Sequence, residues 1–370
     1  MSGAGTAGAR LDAVRRGMDA AGAAVAVFGL SSNMRYLIGF SDEPGERMLL
    51  LLVPRSGDAE IVVPELYADQ VESTSPPAAI HVWTDGEDPG ALLKEVAGGL
   101  DRDGGRILLD DSLWSAFALL VQDAFPGRSF GLASTMMAPL RARKDESEIA
   151  ALKRAGGIAD RAYLEVTGEP VSGLTETQLA GRLEAAMVEG GADAIAFETL
   201  VASGPNSALP HYRAGSRTIR PGDVVILDYG CRVDGYCSDI SRTIVCGPPS
   251  DEVMRVHAAV RSAHLAARDR VVLGVRAEEV DAAARDVLTD AGYGDRFVHR
   301  TGHGVGLDVH EPPYIVGGNE QRLERGMAFS IEPGAYFAGE FGVRIEDVVV
   351  VGGSGAVPMT EVPHELKEVR

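Results

Sequence analysis

The sequence predicts two globular parts, a smaller α/β domain over residues 1–140 and a larger α+β domain over residues 141–370. Three observations carry this. A chain of 370 residues holds two domains at roughly 150 residues each. Between Ala24 and about Ser134, short β-rich runs alternate with stretches of helical period. Beyond residue 140, two helix-rich segments each lead into strand-like text and align at an offset of 101 residues.

In the first part, AVAVF, MLLLLVP, IVV, HVW and RILLD read as strands, with helices over 91–100 and 112–124. Such alternation predicts a small mostly parallel or mixed sheet. The opening MSGAGTAGAR lacks the apolar core of a signal peptide and reads as a flexible Gly/Ala tail. Nothing in this part looks catalytic by itself.

The boundary falls near residue 140, where MMAPLRARK, a basic stretch containing proline, runs into Asp145-Glu146-Ser147-Glu148. Acidic residues suit the positive end of a helix macrodipole, and Ile149, Leu152, Ala155 and Ile158 supply its apolar stripe. Further on, VSGLTETQLAGRL (171–183) and VLGVRAEEVDAAA (272–284) share a turn and a helix start. Each follows a long helix, which suggests a duplicated α+β core with helices on one face of a sheet; chance similarity of two amphipathic helix starts explains the match equally well.

Composition narrows the function classes. The chain is 45% apolar and 24% charged, as globular proteins are. No apolar run approaches the roughly 18 residues of a membrane helix, so a soluble, cytoplasmic protein with no membrane partner is expected. A net charge of −19 repels phosphate backbones and no basic stripe offsets it, so no nucleic-acid partner is expected. Cys231, Cys237 and Cys246 form an odd set without CxxC spacing and read as small buried strand residues.

The chemistry concentrates in three places. The run 224–245, VVILDYGCRVDGYCSDISRTIV, is a hairpin around Asp234-Gly235. A two-residue loop pairs positions whose numbers sum to an odd value, as 228 and 239 do, so Asp228 and Asp239 share one face as direct or diagonal neighbours. By the same parity Cys231 faces away from them and Cys237 faces their side. Two facing carboxylates in apolar strands call for a cation between them; a solvated strand end, or an ion pair to Arg242, accounts for the pair equally well. Next, His303 sits among alternating glycines in Gly302-His303-Gly304-Val305-Gly306, with His310 seven residues on, before Glu311-Pro312-Pro313. Last, Glu332 ends one apolar strand and Glu346 lies in another. The two share a face only if an odd-length or bulged turn joins them. Two Asp, two Glu and one His make an oxygen-rich donor set that suits two divalent ions about 3.5–4 Å apart, Mn²⁺ best, with Co²⁺ or Zn²⁺ as alternatives.

The ordered set D-Y-G, G-Y-x-S-D-I-x-R-T, G-H-G-V-G, H-E-x-P, E-P-G and G-V-R-I-E-D, spread over residue 141 to the end, resembles the metallopeptidases of the prolidase, aminopeptidase P and methionine aminopeptidase family. The resemblance implies a pita-bread fold built as a pseudo-twofold duplication, preceded by a creatinase-type N-terminal domain. It implies metal ligation by Asp228, Asp239, His303, Glu332 and Glu346, with Asp239 and Glu346 bridging. It further implies catalytic parts for three residues: Glu332 handling the proton of an activated water, His310 steadying the tetrahedral intermediate, and His211 contacting substrate. His299, Tyr336 and Arg344 align with positions lining the substrate site. Homodimers are common in the family, so one is expected here.

The N-terminal part and the histidine in Leu209-Pro210-His211-Tyr212 favour the branch that cleaves Xaa-Pro bonds, so the expected substrate is a small peptide with proline second. An Xaa-Pro dipeptidase is expected first, an Xaa-Pro aminopeptidase acting on longer peptides second. Some prolidases carry an arginine just after H-E-x-P to grip the dipeptide carboxylate, whereas this chain has Tyr314. A metal-free creatinase-like hydrolase and a peptide-binding module of the histone-chaperone kind are the remaining alternatives; all five ligands being present argues against both.

Overall fold

The structure is a computed structural model that describes residues 3–100 and 104–370. It divides into two compact units between Arg141 and Ala142.

The first unit is a six-stranded mixed sheet with helices. Its strands run, edge to edge, Ala78–Trp83, Ala59–Pro64, Leu50–Pro54, Ala23–Phe28, Arg106–Leu109 and Phe130–Leu132. Leu50–Pro54 pairs antiparallel with both its neighbours, and the other pairs are parallel. The strands Ala23–Phe28 and Leu50–Pro54 are buried at every position, because helices and loops cover both sheet faces.

Two stretches of this unit differ from expectation. The segment read as a flexible Gly/Ala tail lies in a helix, Gly3–Ala21; its first two residues lie outside the described residues. Ala7, Leu11, Val14 and Met18 recur every three to four residues and are buried, which docks the helix despite its glycines. The basic, proline-containing stretch at the predicted boundary is largely helical too. Ser134–Ala142 carries Pro139 inside it and is anchored by the buried Met136 and Met137.

The second unit contains two helix pairs and one long sheet. Glu146–Val166, opened by an Asp145/Glu148 capping box, pairs with Glu176–Glu189, capped by Thr175. Asp251–Arg270 pairs with Ala277–Asp290, which follows Arg276, 101 positions after Thr175. Leu179 and Val280, equivalent across that offset, are both fully buried. Each pair closes its own core. The first buries Ala155, Leu179 and Leu183 with Val225, Leu227 and Ile240; the second buries Val256, Val260 and Val280 with Phe329, Val349 and Val351.

Across the sheet the main strand order is Glu311–Ile315, Gly302–Gly304, Ala328–Ile331, Glu346–Val351, Ile240–Cys246, Val224–Tyr229, Leu200–Ser203. Side chains alternate faces, and that alternation positions the site. Val225 and Leu227 point into the first helix core, while Ile226 packs with Leu200, Ala202 and Tyr336 on the other face. Asp228, two residues from Ile226, therefore projects away from the first helix pair.

Candidate metal centre

The 224–245 hairpin turns at Asp234 and Gly235, whose φ values of 52° and 83° are both positive, as a tight type I′-like turn requires. The register runs unbroken in sum from Val233↔Tyr236 to Ser241↔Asp228. Asp239 thus lies diagonal to Asp228 on the same face. Cys231 sits in the first helix core with its thiol toward the Ala155 carbonyl, and the Cys237 thiol faces the Leu307 carbonyl.

The two glutamates come from a second ribbon. Strands Gly334–Phe337 and Phe341–Arg344 pair Phe337 with Phe341, leaving a three-residue turn with Gly339 at φ 77°. The turn is odd in length. Pairs Ile331↔Asp347 and Gly334↔Arg344 flank Glu332 and Glu346, so the two carboxylates stand opposite each other.

His303 lies on Gly302–Gly304, where backbones crowd. A Cβ on Gly302 would stand 1.8 Å from the Ser330 carbonyl oxygen, and one on Gly304 would stand 2.4 Å from those of Glu311 and Pro312. Only glycine fits at either place. His303 Nδ1 donates to the Gly304 carbonyl at 3.2 Å, which aims Nε2 at the carboxylates: protonated, it donates to Glu332, and deprotonated, it offers a lone pair to a cation. That Nε2 lies 3.1 Å from Glu332 Oε1 and 3.7 Å from Asp239 Oδ2.

The structure therefore brings Asp228, Asp239, His303, Glu332 and Glu346 onto the wall of one cavity of about 710 Å³. Donor atoms of Asp239, His303 and Glu346 all lie within 4.8 Å of one another. Asp228 is held by Arg344 Nη2 on Oδ2 (2.6 Å), and Glu346 Oε2 accepts from Ser241 Oγ (2.7 Å). Asp228 Oδ1 and Glu346 Oε1 are buried without a hydrogen-bond partner. Burial, reinforced by the other carboxylates, pushes Asp239 and Glu346 well above the usual carboxylate range, while Glu332, despite its burial, is held down to about 2 by the hydrogen bond and charge of His303. Orphaned carboxylate oxygens, mutual repulsion and an imidazole lone pair are what a pair of divalent cations would satisfy, so the donor set fits such ions.

The other residues singled out in the sequence divide. His211 and His310 are exposed and line the cavity, as does the half-buried His299. The His310 ring packs edge-on against His303, with centroids 4.1 Å apart. Although one side of the ring is open to solvent, its desolvation against the cavity wall and the His303 charge bring the His310 pKa down to about 4, which keeps it neutral near pH 7. Arg344 lines the cavity with its guanidinium committed to Asp228, Ser241, Tyr336 and the Pro210 carbonyl. Tyr336 departs from expectation: it is buried behind the wall, its hydroxyl bonded to His299 Nε2 and Arg344 Nη1, and so supports those side chains instead of lining the cavity. Arg242 pairs with Asp347, not with either aspartate of the hairpin.

Sequence reasoning missed Ser241, which links Arg344 to Glu346, and Ser330, whose hydroxyl accepts from His303 N–H and donates to Glu332 Oε1. It also missed Arg300, on the cavity wall with its guanidinium 4.5 Å over the Tyr314 ring. Serines and a lone arginine carry no spacing signal that could have flagged them.

A second His/Asp group, His264, Asp347 and His364, lies on the helix side of the same strand. Asp347 Oδ2 is 2.5 Å from His364 Nε2, whereas two ligands about 2.1 Å from one ion at tetrahedral angles stand about 3.4 Å apart. Its Oδ1 accepts from Arg242 and Thr360. Asp347 is thus held by Arg242, Thr360 and His364, while both ring nitrogens of His264 are buried without a hydrogen-bond partner.

Comparison with known proteins gives the family. The profile of Metallopeptidase family M24 matches residues 150–352, and that of the Creatinase/Prolidase N-terminal domain matches residues 10–143. A probable dipeptidase PepE of Mycobacterium tuberculosis is 42% identical over 350 residues, 94% of this chain and 92% of that protein. An Xaa-Pro dipeptidase of Lactobacillus helveticus is 37% identical over 335 residues, 90% of this chain and 91% of that one. A recombinant prolidase from Thermococcus sibiricus superposes with a TM-score of 0.93 at 40% identity, over 97% of this chain and 98% of that one.

Proposed function

The chain belongs to metallopeptidase family M24, and on that premise we propose that it is an Xaa-Pro dipeptidase whose chemistry resides in residues 141–370. One observation carries the reading: four carboxylates and one imidazole, from two ribbons and a glycine-lined strand, converge on a cavity that also presents His211, His299, His310 and Arg344. The dipeptidase and Xaa-Pro dipeptidase that resemble the chain over nine-tenths of its length support the substrate class.

Asp228, Asp239, His303, Glu332 and Glu346 would hold two divalent ions. Such ions supply Lewis-acid polarisation of the scissile carbonyl and a lowered pKa for water. Glu332, half-buried and hydrogen-bonded by Ser330, takes the proton of the attacking water. His310, neutral, keeps one N–H to donate to the carbonyl oxygen as charge builds on it. His211, at the cavity mouth, holds the substrate, and Arg344 fixes Asp228 and Ser241 in place. The oxygen-rich donor set favours Mn²⁺ as the native ion. A homodimer completes the reading and rests on the family resemblance; the cytoplasm is the compartment expected from the sequence.

A dipeptide ends in a carboxylate, and the cavity wall has a cation to meet it. Arg344 is engaged by Asp228, Ser241, Tyr336 and the Pro210 carbonyl and Arg213 is ion-paired with Glu198, whereas Arg300 forms no ion pair among the described residues and lies over the Tyr314 ring. Arg300 thus takes the clamp that Tyr314 cannot provide. Elemental analysis together with an assay on Ala-Pro tests the function. Two divalent ions per chain and a proline-releasing activity abolished by chelation support it; no bound metal would favour a creatinase-like hydrolase or a binding module instead.

A further inference from the structure

We propose that Glu176 is a positioning residue for substrate binding: its buried carboxylate clasps both legs of the 203–217 segment and so presents His211 to the cavity. The inference rests on the reading that His211 contacts substrate.

Glu176 is the first residue of the helix Glu176–Glu189 and is fully buried. A carboxylate taken out of water is costly unless donors surround it. Five do. Oε1 accepts from Ser203 N–H (2.8 Å), Ser203 Oγ (2.7 Å) and Asn206 Nδ2 (3.0 Å), and Oε2 accepts from Tyr212 Oη (2.9 Å) and Gly215 N–H (3.2 Å). The helix N-terminus adds a favourable field for the negative charge.

The origin of these donors separates positioning from ordinary capping. A capping carboxylate accepts from its own helix, yet all five donors here belong to one stretch that runs from the last residue of the strand Leu200–Ser203 to Gly215. Ser203 and Asn206 stand on its entering leg, Tyr212 and Gly215 on its returning leg, and His211 lies between. The helix answers with its free N–H groups: Glu176 N–H donates to the Arg217 carbonyl and Thr177 N–H to that of Gly215, both at 3.0 Å. Asn206 Nδ2 also bonds Tyr212 Oη at 2.8 Å, tying the legs together. At the tip, the Pro210 carbonyl accepts from Arg344 Nη1, the same guanidinium that holds Asp228. His211 itself is exposed and makes no side-chain hydrogen bond or ion pair among the described residues, so the frame around it sets the cost of ordering it on binding substrate.

The test uses the metal-loaded enzyme on Ala-Pro. Glu176→Gln puts an amide N–H₂ where an acceptor stood, facing donors. It should raise KM about tenfold with kcat changed less than about threefold, and leave metal content at the wild-type level. His211→Ala should raise KM similarly, and the double variant should be no worse than His211→Ala alone. Tyr212→Phe, which removes one donor and keeps the ring, serves if Glu176→Gln does not fold; it should raise KM by a smaller factor and also add nothing to His211→Ala. If His211→Ala raises KM while Glu176→Gln and Tyr212→Phe do not, or if their effects multiply with it, positioning by Glu176 is overturned. An unchanged KM in His211→Ala overturns the substrate role of His211, and this inference with it.

Discussion

Asp228 pairs in register with Ser241, which places Asp239 on its diagonal and lets the Ser241 hydroxyl reach Glu346 Oε2 at 2.7 Å. One hairpin thus contributes two carboxylates to the site and, through its serine, orients a third that comes from another ribbon. The predictions below follow from that arrangement and from the networks beneath it.

Asp239→Asn removes a carboxylate that faces Asp228 and stands 3.7 Å from His303 Nε2. Elemental analysis is expected to find one ion per chain where the parent holds two, with turnover of Ala-Pro nearly abolished. An active variant with full metal content would contradict the ligand assignment.

Ser241→Ala deletes the donor to Glu346 and the acceptor for Arg344 Nε without touching a ligand. Partners behind the ligands typically account for about 10–100-fold in metal affinity. Calorimetric titration of Mn²⁺ into the metal-free variant should show weakening in that range; unchanged affinity would exclude the serine link.

Much of this geometry is legible in the sequence because strands have period two. Asp234-Gly235 announces a two-residue turn, and parity then puts Asp228 and Asp239 on one face before any coordinates are known. The sequence leaves the facing of the two glutamates open because it does not give the turn length; the three-residue turn at Gly339 closes the question. The helix Gly3–Ala21 was misread because its composition resembles a tail, although the stripe of Ala7, Leu11, Val14 and Met18 was there to find. Glu176 was invisible for a different reason: a glutamate at a helix start is commonplace, and only the folded chain brings five donors to it.

Arg242 lies in the core beneath the site, with Nη2 2.7 Å from Asp347 Oδ1 and Nη1 2.6 Å from the Glu346 carbonyl. Arg242→Met leaves Asp347 a buried anion without its cation, a change that costs about 3–5 kcal/mol. Urea unfolding should show a loss of that size. A loss below about 1 kcal/mol would mean that the histidines beside Asp347 carry the compensation.

His257 is buried in the helix Asp251–Arg270, and burial, with Arg261 nearby, lowers its pKa from 6.5 to about 4. Because the folded value is the lower one, the unfolded chain binds the proton first as pH falls. The stability is therefore present above pH 6.5 and is lost between there and about 4, a loss on the order of 2 kcal/mol between pH 7 and 4.5. His257→Gln should flatten the fall in urea midpoint over this window. An identical pH dependence in the variant would rule His257 out as its source.

Arg300→Ser should raise KM for Ala-Pro about tenfold through loss of a charge-assisted bond to the substrate carboxylate. KM for Ala-Pro amide, which lacks that carboxylate, should not move. Equal effects on both would mean that Arg300 does not bind the carboxylate.

The most direct measurement is the hydrolysis of Ala-Pro, Ala-Pro-Ala and Met-Ala in parallel by the Mn²⁺-loaded protein. An Xaa-Pro dipeptidase gives the highest kcat/KM on Ala-Pro, less on Ala-Pro-Ala and none on Met-Ala; hydrolysis of Met-Ala alone would contradict the account.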